Sequence, residues 1–274
     1  MISLLTQKDT AKVMKYLKGD SIAGAFLMGN VLEFGLDNRK EQRRCGDYYG
    51  YFSKGDLIGI LPFYNMGSCI PLFADEEVIE PFAEIMMQRP FEVLMGMQKF
   101  AKPLYDAISG VKNTLTYQKS SYLVNKKFSP FTLKNVTVAK ADEIDRNKAV
   151  AFVKEAYWQG FGHSYSLEET QKFLEQRGSE EEFLFLIAEK RIVAQAYIQA
   201  VTNKINQIGG VFTTEEERGK GYCKAILSHL CQNIIDRDKT PSLIVRKDNI
   251  SAIRAYTSLG FTYFDDYLLI KFRI

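Results

Sequence analysis

The residues most able to do chemistry are Arg218, Gly219, Lys220 and Gly221. They stand between an apolar run that ends at Thr213 and a segment whose Cys223, Ile226, Leu227, Leu230, Cys231 and Ile234 fall on one helical face. A strand, a glycine-bearing turn and a helix start together make an anion site. The first amides of a helix lack internal partners, and the helix dipole adds partial positive charge there. Gly219 and Gly221 let the backbone approach a ligand without Cβ atoms in the way. Arg218 and Lys220 add charge, and Arg218 offers a bidentate fork. Against this stand Glu215, Glu216 and Glu217, directly upstream. Carboxylates facing a phosphate would repel it, so all of them are expected in the connecting turn, pointing outward.

Two familiar phosphate motifs do not fit. A Walker loop needs G-x-x-x-x-G-K-[ST], but Lys220 is followed by Gly221 and no glycine lies five residues before Gly219. A dinucleotide fingerprint fails at Lys224, where its third glycine belongs. The 4 cysteines form no CxxC pair and there are only 2 histidines, which argues against a metal site. A formal charge of +3 gives no case for nucleic acid. No apolar run is long enough for a membrane span and no signal peptide opens the chain, so a reduced, cytoplasmic setting is expected.

The elements that must hold these residues come in two sets, divided by the polar and basic stretch within Ser120–Val138. At 274 residues, two ordinary α/β domains are expected, at 1–128 and 135–274. In the second, helical periodicity covers Asp142–Tyr157, and a short helix is capped by Ser166. Strand patterns follow over 182–190, 191–201 and 205–213, then the Arg-Gly turn and its helix. A strand at Ser242–Val245, a helix Ile250–Leu259 closed by Gly260 and a last strand from Phe261 complete it. The first half shows the same order: helices at Thr10–Leu17 and Ala23–Phe34, strands at 47–55, 56–65 and 68–73, a helix over 75–88, a strand 91–97, a helix 101–108 and a strand 114–124. There, however, the strand runs straight into Asp75-Glu76-Glu77 with no arginine or glycine between. The repeat keeps the frame and lacks the cradle.

VFTTEEERGKGYC resembles the acyl-CoA pyrophosphate loop of the GNAT N-acetyltransferase superfamily, V-x-[TV] and then [QR]-x-x-G-x-[GA]. It fits as Arg218-x-x-Gly221-x-Cys223, or as Glu216-x-x-Gly219-x-Gly221 with Glu where Gln or Arg is usual. LIVRKDNISAIRAYTSLGFTYF is similar to the family's C-terminal signature, matching at Asn249, Ala252, Tyr256, Gly260 and Phe261. The resemblance implies a GNAT fold, a mixed α/β sheet, over 135–274, with the N-terminal half a degenerate GNAT-like copy. It further implies acetyl-CoA as co-substrate and a small-molecule or peptide amine as acceptor, in a monomer or homodimer with no metal, nucleic acid or membrane partner. Val211, Phe212 and Thr213 would lie along the pantetheine arm. Arg218, Gly219, Lys220, Gly221, Tyr222 and Cys223 would surround the pyrophosphate, and Asn249 would face the cofactor. Tyr256 would protonate the departing thiolate, and His163 would contact the acceptor. The carboxylate many members carry about thirteen residues before the loop arginine is absent, since Ile205 stands there. Glu155, His163 and Glu189, a water relay, or an amine arriving neutral remain as ways to a base. An acyl-CoA-binding regulatory module without turnover, or transfer of a longer acyl chain as in the glycine N-acyltransferase-like branch, are the alternatives.

Overall fold

The computed structural model describes residues 1–162, 164–175 and 182–273. In chain order the first elements are β1 (Ile2–Leu4), α1 (Thr10–Leu17), α2 (Ala25–Phe34), β2 (Gly46–Ser53), β3 (Asp56–Tyr64), β4 (Ser68–Cys69) and β5 (Leu72–Phe73). Next come α3 (Ile79–Gln88), β6 (Val93–Met97), α4 (Gln98–Ile108), β7 (Thr114–Asn125), β8 (Val136–Lys140), α5 (Arg146–Phe161) and α6 (Leu167–Glu175). The remainder are β9 (Phe183–Ala188), β10 (Arg191–Val201), β11 (Ile205–Thr213), α7 (Tyr222–Ile235), β12 (Thr240–Arg246), α8 (Ile250–Ser258) and β13 (Phe261–Phe272).

The chain forms two compact units, and neither is continuous in sequence. Unit 1 takes Met1–Tyr122, Ile244–Asp248 and the chain from Tyr263; unit 2 takes Leu123–Leu243 and Asn249–Thr262. A division at 128/135 follows chain order, whereas the units follow strand pairing. β13 forms an antiparallel ladder with β6, from Tyr267↔Met97 to Lys271↔Val93, and so carries the end of the chain into unit 1. The strand order there is β1-β2-β3-β4-β6-β13-β7, with β5 on β3. The single strand expected over 68–73 is two short ones, β4 and β5, with Pro71 between them, a residue that has no N–H to give a ladder.

Unit 2 is a mixed sheet in the order β12-β11-β10-β9-β8, antiparallel throughout except for β11 and β12. Its core gathers Ala149 and Val153 of α5 with Phe183, Phe185 and Tyr197, and the alternation of a strand turns Leu184 and Leu186 to the opposite face. α7 packs against β9, β10 and β11 and buries Ile226, Leu227, Leu230, Cys231 and Ile234, the stripe that its sequence spacing predicts. Helix α5 starts at Arg146 rather than Asp142, because Asp145 caps it by accepting from the Lys148 N–H at 3.0 Å. Asp142 and Glu143 belong to a 3₁₀ turn before the cap.

Gly260 shows why a glycine must close α8. Its φ is +93°, and a Cβ there would overlap the carbonyl oxygen of Lys127. The chain after β7 is held against this corner: Asn125 Nδ2 donates to the Leu259 carbonyl at 2.9 Å, and the Ser129 N–H to the same oxygen at 3.0 Å. Gly260→Ala should therefore destabilise by about 3 kcal/mol or more, through left-handed strain and backbone overlap together. Chemical denaturation of the purified variant measures this.

Candidate active site

β11 carries the site because it is irregular on one side and ends its pairing early on the other. Against β10 the register runs from Gly209↔Tyr197 to Phe212↔Gln195, so Gly210 and Val211 together oppose Ala196. This is a β-bulge. Gly210 has φ +58°, and a Cβ on it would overlap the Tyr197 ring; one on Gly209 would overlap the Gln199 side chain. Two adjacent glycines in a strand thus make room for side chains from the neighbouring strand. Against β12 the parallel ladder covers Ile205↔Thr240 to Ile208↔Leu243 and stops, while β11 continues to Thr213.

Of the residues assigned to the pantetheine arm, Phe212 is buried and turns its ring to Phe152 of α5, at 6.0 Å between centroids. It offers a ligand its backbone, not its side chain. Val211 and Thr213 are half-buried, and the Thr213 hydroxyl oxygen is buried without a hydrogen-bond partner. After β11 the chain makes a 3₁₀ turn at Glu215–Glu217, extends at Arg218, and passes Gly219 (φ +83°) and Gly221 (φ +86°) into α7. Gly221 is the N-cap of α7 and no side chain caps the helix, so its first amides are left for another acceptor.

The expectation that Glu215, Glu216 and Glu217 all point outward needs correction. Glu215 and Glu216 are exposed, but Glu217 is buried. Its carboxylate accepts from Lys220 Nζ at 2.7 Å and from Arg191 at 3.1 Å. The Lys220 hydrogen bond, ahead of the charges of Lys220 and Arg191, holds the Glu217 carboxyl below the usual glutamate range. The same contact raises Lys220. Lys220 is therefore tied to the loop's own frame. Arg218 is exposed, with Nε 3.4 Å from the Thr213 carbonyl.

Cys223 sits in the first turn of α7, half-buried, and burial pushes its thiol up to about 12. Tyr256 is 6% exposed, packs on Phe261 at 6.1 Å, and is raised well above the ordinary phenol value by burial, with Cys223 adding to the shift. Asn249 Oδ1 caps α8 by accepting from the Ala252 N–H at 3.1 Å, so that oxygen serves the helix. His163 lies outside the described residues. Neither carboxylate proposed as a base is enclosed: the Glu189 side chain is 83% exposed, and Glu155 is exposed and held by Gln159 at 2.6 Å. Ile205 is buried.

Sequence reasoning missed three neighbours of the site. Gln195 is wholly buried and donates to the Gly210 carbonyl at 3.2 Å. Arg191 holds Glu217. Phe131, in the segment between β7 and β8, has its ring 3.4 Å from where a Gly221 Cβ would stand, under the Lys224 ammonium at 4.1 Å. The adjacent glycines 209 and 210 were a usable sign of the bulge; nothing local marks Arg191 or Phe131. Among the described residues no group of His, Cys, Asp or Glu could hold a metal ion, and no helix is long and apolar enough to cross a membrane.

Residues 187–270 match the family model described as FR47-like protein. None of the curated proteins matches the chain in sequence. Among solved structures, a Drosophila protein is similar over 99% of this chain and 98% of its own, at 10% identity and a TM-score of 0.75. A GCN5-related N-acetyltransferase from Sphaerobacter thermophilus is similar over 99% and 94%, at 14% identity and 0.64. A tandem GNAT protein from the clavulanic acid biosynthesis pathway is similar over 99% and 97%, at 10% identity and 0.58. The fold is that of the GNAT acetyltransferases, and the likeness to a tandem member extends over both halves of the chain.

Because its folded pKa is lowered, Glu217 contributes stability that is complete above the ordinary value near ~4.3 and is lost as pH falls through the folded value. Glu217→Gln should remove this step. Wild type should melt higher at pH 7, and the difference should close as pH is lowered below ~4; thermal melts across that range read it out.

Proposed function

We propose that unit 2 is an acyl-CoA-dependent N-acyltransferase that moves an acetyl group from acetyl-CoA to a primary amine. The observation that carries this reading is the course of β11. It is bulged at Gly210 and Val211 and unladdered to β12 past Ile208. It then runs directly into the glycine turn at the uncapped start of α7. The open edge of the strand suits the amide groups of a pantetheine arm, and the α7 amides with Arg218 suit a pyrophosphate. Lys220 contributes from its place beside Glu217.

In this reading the amine nitrogen attacks the thioester carbon, the carbonyl oxygen takes up negative charge, and the C–S bond breaks as the tetrahedral species collapses. A backbone N–H of β11 stabilises the oxyanion, an interaction that typically contributes roughly 3–4 kcal/mol. The thiolate then takes a proton, which this reading assigns to Tyr256. Burial keeps this phenol protonated across the physiological range. The same burial makes it a weak acid, so its removal belongs at the low end of acid–base effects. The β11 position that would carry a carboxylate is the buried Ile205, so in this reading the attacking amine arrives neutral or loses its proton by another route, through water or a side chain such as His163.

That missing carboxylate favours one other reading, an acyl-CoA-binding module without turnover. Incubating the protein with acetyl-CoA and a panel of primary amines, and following thiol release, separates the two: binding without release supports the module. For the enzyme, Tyr256→Phe should lower kcat about 100-fold, with the KM for acetyl-CoA little changed. A variant with full turnover removes Tyr256 from the reaction. Glu216 is exposed in the turn before the loop. Glu216→Gln should accordingly leave acetyl-CoA affinity unchanged by calorimetry, whereas tighter binding would make Glu216-x-x-Gly219-x-Gly221 the working register.

A further inference from the structure

Gln195 is an unusual occupant of its position. It lies on β10 opposite Phe185 of β9 on one side and Phe212 of β11 on the other, and it is 0% exposed. Its Nε2 donates to the Gly210 carbonyl at 3.2 Å, while its Oε1 is buried with no hydrogen-bond partner. The amide orientation is fixed by that contact, because an oxygen turned toward the Gly210 oxygen would place two acceptors together. A Met or Leu side chain could fill the same apolar space without leaving a buried acceptor unmet. What the amide adds is its hold on one peptide unit.

That unit is the one at the bulge. A trans peptide is planar, with its C=O and N–H pointing in opposite directions. Binding the Gly210 oxygen therefore also sets the direction of the Val211 N–H, which must face away from Gln195. Gly210 has no side chain of its own to restrict rotation, since glycine is the least restricted residue there could be. The Tyr197 ring, lying where a Gly210 Cβ would be, blocks the glycine from its side-chain face.

We propose that Gln195 is a positioning residue of the transfer reaction. By holding the Gly210 carbonyl it presents the Val211 N–H to the thioester oxygen as the donor to the developing oxyanion. The inference rests on the acyltransferase reading and assigns, within it, which amide acts and what aims it. An amide that is loosely aimed binds the ground state nearly as well and fails mainly when charge develops, so the loss belongs in kcat.

The test uses the full chain, wild type against Gln195→Met, which keeps the volume and loses the donor. With acetyl-CoA and an accepted amine, kcat should fall about 10- to 100-fold while the KM for acetyl-CoA stays within about 3-fold. In ¹H–¹⁵N spectra, the Val211 amide should shift between the CoA and acetyl-CoA complexes of wild type, and that shift should be lost in the variant. If Gln195→Met does not fold, Gln195→Leu, which fills the same apolar space and has no donor, carries the same readouts. A folded variant with wild-type kcat, or one in which KM rises as much as kcat falls, overturns the proposal. Should wild type bind acetyl-CoA and release no thiol, the acyltransferase reading fails. The spectra then decide the role of Gln195 separately: a Val211 shift kept in the variant overturns it, and a shift lost supports it.

Discussion

The ladder between β11 and β12 ends at Ile208↔Leu243, and much of what unit 2 can offer a ligand follows from that end. A strand has hydrogen-bonding groups along both edges, and those without a ladder partner need another. From Gly209 to Thr213, β11 keeps β10 on one edge only. The bulge at Gly210 and Val211 falls inside this stretch, so a departure from regular pleating coincides with a place where the backbone's direction matters. Gln195, Gln199 and Tyr197 on β10 meet the glycine pair, and the irregularity is held by packing rather than left loose.

The charge of the loop is arranged along the same lines. A helix start with an uncapped Gly221 already favours an anion through its amides. Lys220 adds charge, but its ammonium is committed to the buried Glu217, and Arg191 closes the other side of that carboxylate. Part of the apparent excess of acid before the cradle is thus internal scaffolding: one glutamate of the run fixes the loop, while Glu215 and Glu216 remain in solvent. The cationic character left to meet a phosphate comes chiefly from the amides and Arg218.

This division explains what could be read from sequence and what could not. The Gly219 and Gly221 turn, the α7 stripe, the Asn249 cap and the Gly260 closure are local patterns, and each is present where its spacing places it. Glu217 was misread because Lys220, three residues on, reads as charge for the ligand rather than as its partner, and Arg191, 26 residues upstream, reaches it only through the pairing of β10 and β11. Gln195 reads simply as a polar residue in an apolar strand until Gly210 is placed beside it. The allocation of β13 to unit 1 depends on pairing with β6, more than 160 residues away, which no local pattern encodes. Gly209 and Gly210 are an intermediate case. Glycine in a strand announces a bulge or a close approach, but only the register shows both.

Unit 1 supplies the contrast that isolates the cause. It has a strand leading to a helical segment at the corresponding point, β5 followed by the turn at Glu76–Val78 and α3. There Asp75 caps the segment, its carboxylate accepting from the Glu77 N–H at 2.9 Å, and Glu76, Glu77 and Glu80 surround it. The chain's own carboxylate meets the helix start, and the added acidic residues would repel a second anion. In unit 2 the equivalent start has glycine at the cap, and its nearest carboxylate is turned inward onto Lys220 and Arg191. The same frame therefore yields a closed junction in one unit and an open one in the other. What separates them is whether an acidic side chain reaches the helix amides or is held away from them.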